Sequence, residues 1–110
     1  MNEIKAYIRP VLGHSVIAAL KAAGATNLTT THVNGFGLFE DPLTESFDAE
    51  VVEKRSDMLK LEMICPHAEM RRFVETIIQH ARTGKPGDGA IYVLPVLHAV
   101  RIACGAEDLV

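Results

Sequence analysis

The chain is poor in cysteine, in aromatic residues and in long apolar runs, and each shortage excludes a class of protein. Its 110 residues include two cysteines, no tryptophan and 5% aromatic residues. Cys65 and Cys104 form no Cys-x-x-Cys pair, so we expect free thiols in a reducing compartment. No apolar run approaches the roughly 20 residues that cross a bilayer, and residues 1–8 alternate in polarity, unlike a signal peptide. These features predict a cytoplasmic protein.

Positive charge is also scarce, and what charge there is lies unevenly. The formal net charge is −3, which argues against a nucleic-acid partner. Hydrophobic residues make up 48% and charged residues 23%, as in one globular domain spanning residues 1–110. Residues 38–57 alone carry −5, so the remainder is +2. We expect this acidic segment to be an exposed loop, either simply solvated or acting as an arm for a basic partner or a cation.

Hydrophobic periodicity predicts four strands and two helices. Period-two or β-branched patterns predict strands, and apolar residues at helical spacing predict helices. The predicted strands are 3–9, 27–36, 58–65 and 91–96, and the predicted helices are 12–23 and 66–81. The order β-α-β-β-α-β is that of the ferredoxin-like α+β fold, an antiparallel sheet with two helices on one face. The other face would carry Lys5, Tyr7, Lys60 and Ile64, a mixed surface of the kind that oligomers bury.

A glycine-rich turn, Arg82-Thr83-Gly84-Lys85-Pro86-Gly87-Asp88-Gly89-Ala90, joins the second helix to the last strand. Its glycines permit positive φ and a close approach of backbone N–H groups to an anion, and Arg82 and Lys85 add positive charge. The spacing is neither that of a Walker A loop nor that of a dinucleotide-binding fingerprint. From these residues alone, a plain connector is the commoner explanation and a phosphate site is the alternative.

Four segments together resemble the PII signal-transduction family, and the resemblance covers nearly the whole chain. It implies a T-loop at about 37–57, a B-loop at about 82–90 and a C-terminal loop at about 98–110. The B-loop turn, in this context, is the most specific marker. The four segments are Ile4-Lys5-Ala6-Tyr7-Ile8-Arg9-Pro10, Gly35-Phe36-Gly37, Ala81 to Gly89 and Val100-Arg101-Ile102.

The resemblance implies a homotrimeric regulator that is not an enzyme. Such proteins bind adenine nucleotides in clefts between subunits, often with 2-oxoglutarate, and the ligand changes how the T-loop docks on a transporter, enzyme or regulator. The implied nucleotide-binding residues are Thr29, approaching the adenine; Gly35 and Gly37, at the base of the T-loop; Ile64, whose backbone meets the base; Gly87, Asp88 and Gly89, whose backbone contacts phosphate; and Arg101, from across the subunit boundary.

Departures from the family pattern predict altered ligand preference. Positions where the family has cationic or polar ligand contacts are here Leu38, Phe39, Met58, Ala90 and Ala103. Losing several charge-assisted contacts favours ADP or AMP over MgATP and argues against standard 2-oxoglutarate sensing. The tyrosine and serine that are modified in some members are also missing, since that stretch reads Ala49-Glu50-Val51. The chain thus looks like a divergent PII-like member, of the groups found beside bicarbonate or metal transport systems, with a transporter as client and a small anion such as bicarbonate as a further ligand.

Other chemistry finds little support in the sequence. The five histidines form no His-x-x-x-His pair and no cluster with cysteine, so we predict no preformed metal site. No serine or cysteine lies in a catalytic motif. Two alternatives remain open: a CutA-like trimeric metal- or anion-binding module without nucleotide signalling, and a bare structural trimer whose pocket has decayed.

Overall fold

Within the residues that the structure describes, four strands and two α-helices follow one another in the predicted order. The computed structural model describes residues 1–36, 55–103 and 105. Gly37, Leu38, Phe39, Cys104 and most of the acidic loop therefore lie outside the described residues. The elements are β1 (Asn2–Ile8), a 3₁₀ turn (Pro10–Leu12), α1 (Gly13–Ala22), β2 (Thr29–Phe36), β3 (Arg55–Cys65), α2 (His67–Ala81) and β4 (Ala90–Pro95).

The strands form one sheet in the order β2-β3-β1-β4, and every neighbouring pair is antiparallel. β1 lies between β3 and β4, so Ile4 is opposite Met63 on one side and Val93 on the other. This arrangement confirms the predicted ferredoxin-like α+β fold. None of the helices in the described ranges is long and apolar enough to cross a membrane.

One face of the sheet and both helices share a single hydrophobic core. Alternate residues of β1 and β3 are buried, as the period-two pattern predicts, whereas the helices bury one stripe each. The helices therefore cover the same face of the sheet. The core side chains are Ile4, Ala6 and Ile8 from β1; Leu59, Leu61, Met63 and Cys65 from β3; Val16 and Leu20 from α1; and Phe73, Ile77 and Ala81 from α2.

The opposite face is mixed. Lys5, Tyr7 and Lys60 are half-buried there. The Tyr7 and Tyr92 rings meet edge to face with centroids 6.0 Å apart, and the Lys60 Nζ lies 3.5 Å from a Glu62 carboxylate oxygen. The face thus joins aromatic surface to a partly exposed ion pair, a composition suited to partial burial rather than to a core.

Several boundaries differ from the sequence-based prediction. β3 begins at Arg55, three residues before the predicted start, so residues 55–57 of the predicted T-loop belong to a strand and pair with residues 34–36. Residues 55–57 are polar and show no hydrophobic alternation, so the sequence did not predict a strand there. At this end of the sheet, backbone pairing alone keeps them in the strand. β4 likewise begins at Ala90, which was assigned to the glycine turn, and β2 begins at Thr29 rather than at residue 27.

Candidate functional site

The glycine turn, residues 82–89, leaves the end of α2 and enters β4 through a series of left-handed backbone conformations. Gly84, Gly87 and Gly89 have φ values of 85°, 90° and 112°. Residues with a side chain rarely adopt such φ values, so glycine is the residue that this turn requires at all three positions. The predicted positive φ is confirmed, whereas contact between this backbone and phosphate stays a prediction.

The Asp88 carboxylate organises the turn from within. One oxygen accepts hydrogen bonds from the backbone N–H groups of Thr83, at 2.8 Å, and Gly84, at 3.2 Å. The other accepts from the Thr83 hydroxyl and from Arg9 Nε, the latter at 3.0 Å. Burial by itself raises the pKa of Asp88, but the hydrogen bonds from Thr83, Arg9 and Gly84 outweigh it and lower the pKa from 3.8 to about 2. The Asp88 carboxylate is therefore ionised, and both of its oxygens already accept hydrogen bonds from within the chain.

Arg9 fixes the turn to the end of β1. Besides its ion pair with Asp88, its guanidinium donates to the Pro86 carbonyl at 2.8 Å. The sequence analysis missed Arg9 and Thr83 as organising residues. A signal was present, since Asp88 is the only acidic residue in the turn and Arg9 directly precedes Pro10 at the end of a predicted strand. Nothing in the sequence, however, shows that these residues meet across 79 positions.

Gly89 has a second reason to be glycine. A Cβ at this position would lie 1.8 Å from the Tyr7 carbonyl oxygen and 3.1 Å from Met58 Cε. The 1.8 Å distance is far inside van der Waals contact, so the turn packs directly on the β1 backbone. Met58 itself is only 2% exposed and lies within β3. The resemblance gives the family a lysine at this position and puts it just before the strand. The methionine is thus part of the packing under the turn.

Asn27, Thr29 and Ile64 gather at the other end of the sheet. The Asn27 side chain accepts a hydrogen bond from the Ile64 N–H at 2.7 Å and donates one to the Ile64 carbonyl at 2.9 Å. The Thr29 hydroxyl lies 3.4 Å from the Glu62 carbonyl, to which it donates. These residues line a hollow of about 340 Å³. The sequence analysis identified Thr29 and Ile64 but missed Asn27.

The structure separates the predicted site residues into two groups. Gly89 contacts Tyr7, near the end of β1, whereas Ile64 pairs with Glu3, near its start. Glu3 and Tyr7 are four residue steps apart along β1, about 13 Å of strand. Gly35, which pairs with Ser56, lies beyond the same end of β1 as the glycine turn. A single chain therefore does not bring Thr29 and Ile64 to Gly87, Asp88 and Gly89.

Arg101 follows β4 and is exposed. β4 ends beside Asn2, at the sheet end that carries Ile64, and the Val96 N–H donates to the Met1 carbonyl at 3.0 Å. Ala90 begins β4, so no cation lies at that point of the turn. Arg82 and Lys85 are the exposed cations that the turn itself contributes.

A hollow of about 290 Å³ lies beside the glycine turn, between the end of α2 and the edge strand β4. Its lining is largely apolar and includes Ile77, Ile78 and Ile91, with Arg82 and Asp88 at the turn. The Asp88 carboxylate is engaged by the turn, so the polar groups that this hollow offers to a ligand come mainly from Arg82 and from the backbone.

No group of three or more histidine, cysteine, aspartate or glutamate side chains that could hold a metal ion occurs in residues 1–36, 55–103 and 105. Cys65 is a free thiol in the core, as expected. Burial raises the pKa of Cys65, and the nearby Glu69 carboxylate raises it further, which makes this thiol a poor nucleophile.

Comparison with known proteins agrees with the geometry. The sequence model of the family "Nitrogen regulatory protein P-II" matches residues 1–106. Nitrogen regulatory protein P-II 1 of Escherichia coli (strain K12) is 37% identical over 108 residues, covering 98% of this chain and 96% of that protein. Nitrogen regulatory protein P-II of Synechocystis sp. is 32% identical over 108 residues, again covering 98% of this chain and 96% of that protein.

The solved structures include a similar fold with a bound small molecule. The crystal structure of Arabidopsis thaliana PII bound to citrate superposes with a TM-score of 0.79 at 29% identity, covering 98% of this chain and 85% of that one. The family match, the relatives and the shared fold span nearly all of the chain. The chain belongs to the nitrogen regulatory protein P-II family of signal-transduction regulators.

Proposed function

We propose that the protein is a homotrimeric regulator that binds ADP or AMP in clefts between its subunits. In this proposal the nucleotide biases the acidic segment, which docks on a client protein, a transporter involved in inorganic-carbon or metal movement. The observation that carries the proposal is the glycine turn, which Arg9 and Asp88 hold in shape and whose glycines all adopt positive φ.

The turn supports anion binding because contacts within the chain fix its shape. The Asp88 carboxylate satisfies the N–H groups of Thr83 and Gly84, and Gly89 packs on β1. The entropy of ordering the loop is then spent on folding rather than on binding. Lys85 and Arg82 lie exposed on the same turn, where they would supply charge to a phosphate.

The separation of the two residue groups supports a site between subunits. If the glycine turn of one copy approaches the Thr29 and Ile64 end of another, the phosphates and the base each meet the group suited to them. The mixed sheet face, with its half-buried Tyr7 and exposed Tyr92, provides a surface through which copies would associate.

The preference for a short phosphate chain rests on missing cations. Ala90 and buried Met58 replace positive side chains near the turn, and Ala103 replaces one near Arg101. Each additional phosphate brings negative charge that needs a matched donor, so MgATP gains least from this site. A small anion such as bicarbonate is proposed as a second ligand on the same reasoning, because a compact monovalent anion needs fewer donors.

Calorimetric titration with AMP, ADP and MgATP tests the proposal, with sedimentation analysis to establish the oligomeric state. We expect ADP or AMP to bind more tightly than MgATP, and Arg101→Ala to weaken binding at least tenfold. Arg71→Ala, which removes an equally exposed cation from α2, is the matched control and should bind like wild type. Absence of heat with all three nucleotides would overturn the proposal.

The CutA-like alternative is not favoured by a specific observation. The sequence relationship is to the P-II family over residues 1–106. Metal binding that persists in Arg101→Ala while nucleotide binding is absent throughout would be needed to revive it.

A further inference from the structure

The backbone of Ile64 presents a donor and an acceptor side by side at an unfinished edge of the sheet. β3 runs to Cys65, and its partner β2 begins only at Thr29, opposite Glu62. In an antiparallel ladder, the N–H and C=O of alternate residues point to the same neighbour. The Ile64 N–H and C=O therefore point past the start of β2, where no strand backbone meets them.

The Asn27 carboxamide fills this place in the ladder. Its Oδ1 accepts from the Ile64 N–H at 2.7 Å, and its Nδ2 donates to the Ile64 carbonyl at 2.9 Å. The side chain thus acts as a substitute strand residue. Both edge groups of Ile64 are satisfied by Asn27, as buried or half-buried backbone groups generally are satisfied.

The same donor–acceptor arrangement occurs on a purine base. In adenine, the 6-amino group donates beside the N1 acceptor, just as Nδ2 donates beside Oδ1 in a carboxamide. A base read by the Ile64 backbone would need the two groups that Asn27 already uses. The single Ile64 N–H cannot donate a short, in-line bond to Asn27 Oδ1 and to a base nitrogen at once, so the two acceptors compete for it.

We propose that Asn27 competes with the nucleotide base for the Ile64 backbone and thereby sets the protein's affinity for adenine nucleotides. This inference rests on the proposed function, because it concerns the base end of the same site. Binding requires the Asn27 side chain to rotate away from Ile64. The measured affinity is therefore the intrinsic affinity multiplied by the fraction of molecules in which Asn27 has released Ile64.

Rotation of the side chain is feasible because it lies at the surface. Asn27 and the preceding Thr26 are both exposed, and Asn27 Nδ2 also lies 3.5 Å from the Thr26 hydroxyl oxygen, which gives it an alternative acceptor. When Asn27 rotates away, water replaces its two hydrogen bonds to Ile64 at small net cost. The arrangement in which Asn27 is bonded to Ile64 is therefore favoured only moderately. Competition of this size lowers affinity without abolishing binding.

Calorimetric titration of wild type, Asn27→Ala and Asn27→Gly with ADP and AMP tests the inference. Removing the competitor should tighten binding about three- to tenfold in both variants, in contrast to the loss expected when a ligand-contacting side chain is truncated. Gln79→Ala, which removes an exposed carboxamide from α2, is the matched control and should leave the dissociation constants unchanged.

The outcomes separate this inference from the proposed function. Unchanged or weaker binding in both Asn27 variants, with wild type binding normally, overturns the competition and leaves the proposed function standing. Binding by the variants alone supports the competition, whereas the absence of binding by wild type counts against the proposed function. If no form binds ADP or AMP, the proposed function fails and the inference fails with it. The amide resonances of the Asn27 side chain provide a second readout, since nucleotide should shift them towards a solvent-exposed position in wild type, and unchanged resonances at saturation contradict the competition.

Discussion

Gly84 and Gly89 share a left-handed backbone but differ in their surroundings. Apart from its chain neighbours, none of the described residues comes within 4 Å of a Cβ built on Gly84, whereas a Cβ on Gly89 collides with the Tyr7 carbonyl. We expect Gly84→Ala to cost about 1–2 kcal/mol, the conformational penalty alone, and Gly89→Ala to cost at least about 2 kcal/mol more. Urea unfolding at one fixed protein concentration measures both. Equal costs for the two substitutions would contradict the close packing of Gly89.

Asp88 gives the protein an acid-dependent contribution to stability. Its native pKa, lowered from 3.8 to about 2, means that the ionised form is favoured by folding. The contribution is complete only above about pH 5 and is lost as the pH falls through the native pKa of about 2. We expect Asp88→Asn to lower the free energy of unfolding at pH 7 by about 1–3 kcal/mol, because the partly exposed carboxylate loses charged hydrogen bonds.

Unfolding measured between pH 5 and pH 2 checks this contribution. In Asp88→Asn, part of the wild-type decline in stability over that range should disappear. Glu69→Gln is the control, because Glu69 pairs with Arg72 in an exposed ion pair that contributes little. A wild-type decline that persists unchanged in Asp88→Asn would show that this carboxylate is not responsible.

These residues also mark how far the sequence predicts the site. Positive φ at the glycines follows from residue type alone, and the structure confirms it. The role of Asp88 as an internal acceptor depends on Arg9, 79 positions away, and the role of Asn27 depends on where β2 starts. Residue types and local spacing carry no information about such distant hydrogen bonds, which arise from the register of the sheet.

At the scale of elements, apolar periodicity is reliable where one face is buried and fails where backbone pairing alone holds a strand. α2 was predicted from its apolar stripe, which the core confirms through Phe73, Ile77 and Ala81. The first residues of β3, 55–57, have no such stripe and were predicted as loop. Strand ends held by ladder hydrogen bonds can have almost any polar sequence, which explains the difference.

Adjacent residues of α2 provide a test of this pattern. Ile77 is 1% exposed in the core, whereas Ile78 is 37% exposed beside the glycine turn. Ile77→Ala should lower the free energy of unfolding by about 2–5 kcal/mol, because it leaves a cavity, and Ile78→Ala by under about 1 kcal/mol. Urea unfolding of the two variants compares identical chemical changes one position apart. A cost for Ile78→Ala as large as that for Ile77→Ala would contradict this pattern and would indicate that the Ile78 side chain is buried in the assembled protein.

At the scale of the whole molecule, the sheet separates two halves of one proposed site. The glycine turn and Gly35 lie at one end of β1, and Ile64 lies near the other end. Thr29, opposite Glu62, begins β2 two residues along the sheet from Ile64. The fold alone was predictable from the order of strands and helices, but this separation was not, because it depends on strand register. The separation makes association between copies a requirement of the proposed function rather than an addition to it.

Mixing two defective variants tests whether the halves of the site come from different copies. Gly87→Asp places a charged side chain at a φ of 90° in the turn, and Arg101→Ala removes the cation that the proposed function assigns to the other half of the site. Each variant alone should bind ADP or AMP poorly. Co-expressed in equal amounts, they should form mixed trimers in which about a quarter of the clefts join an intact turn to an intact Arg101. Calorimetry should then recover binding of wild-type affinity at about a quarter of the sites. Because a site built within one chain would stay defective in every mixture, failure to recover binding in demonstrably mixed trimers would contradict the shared site.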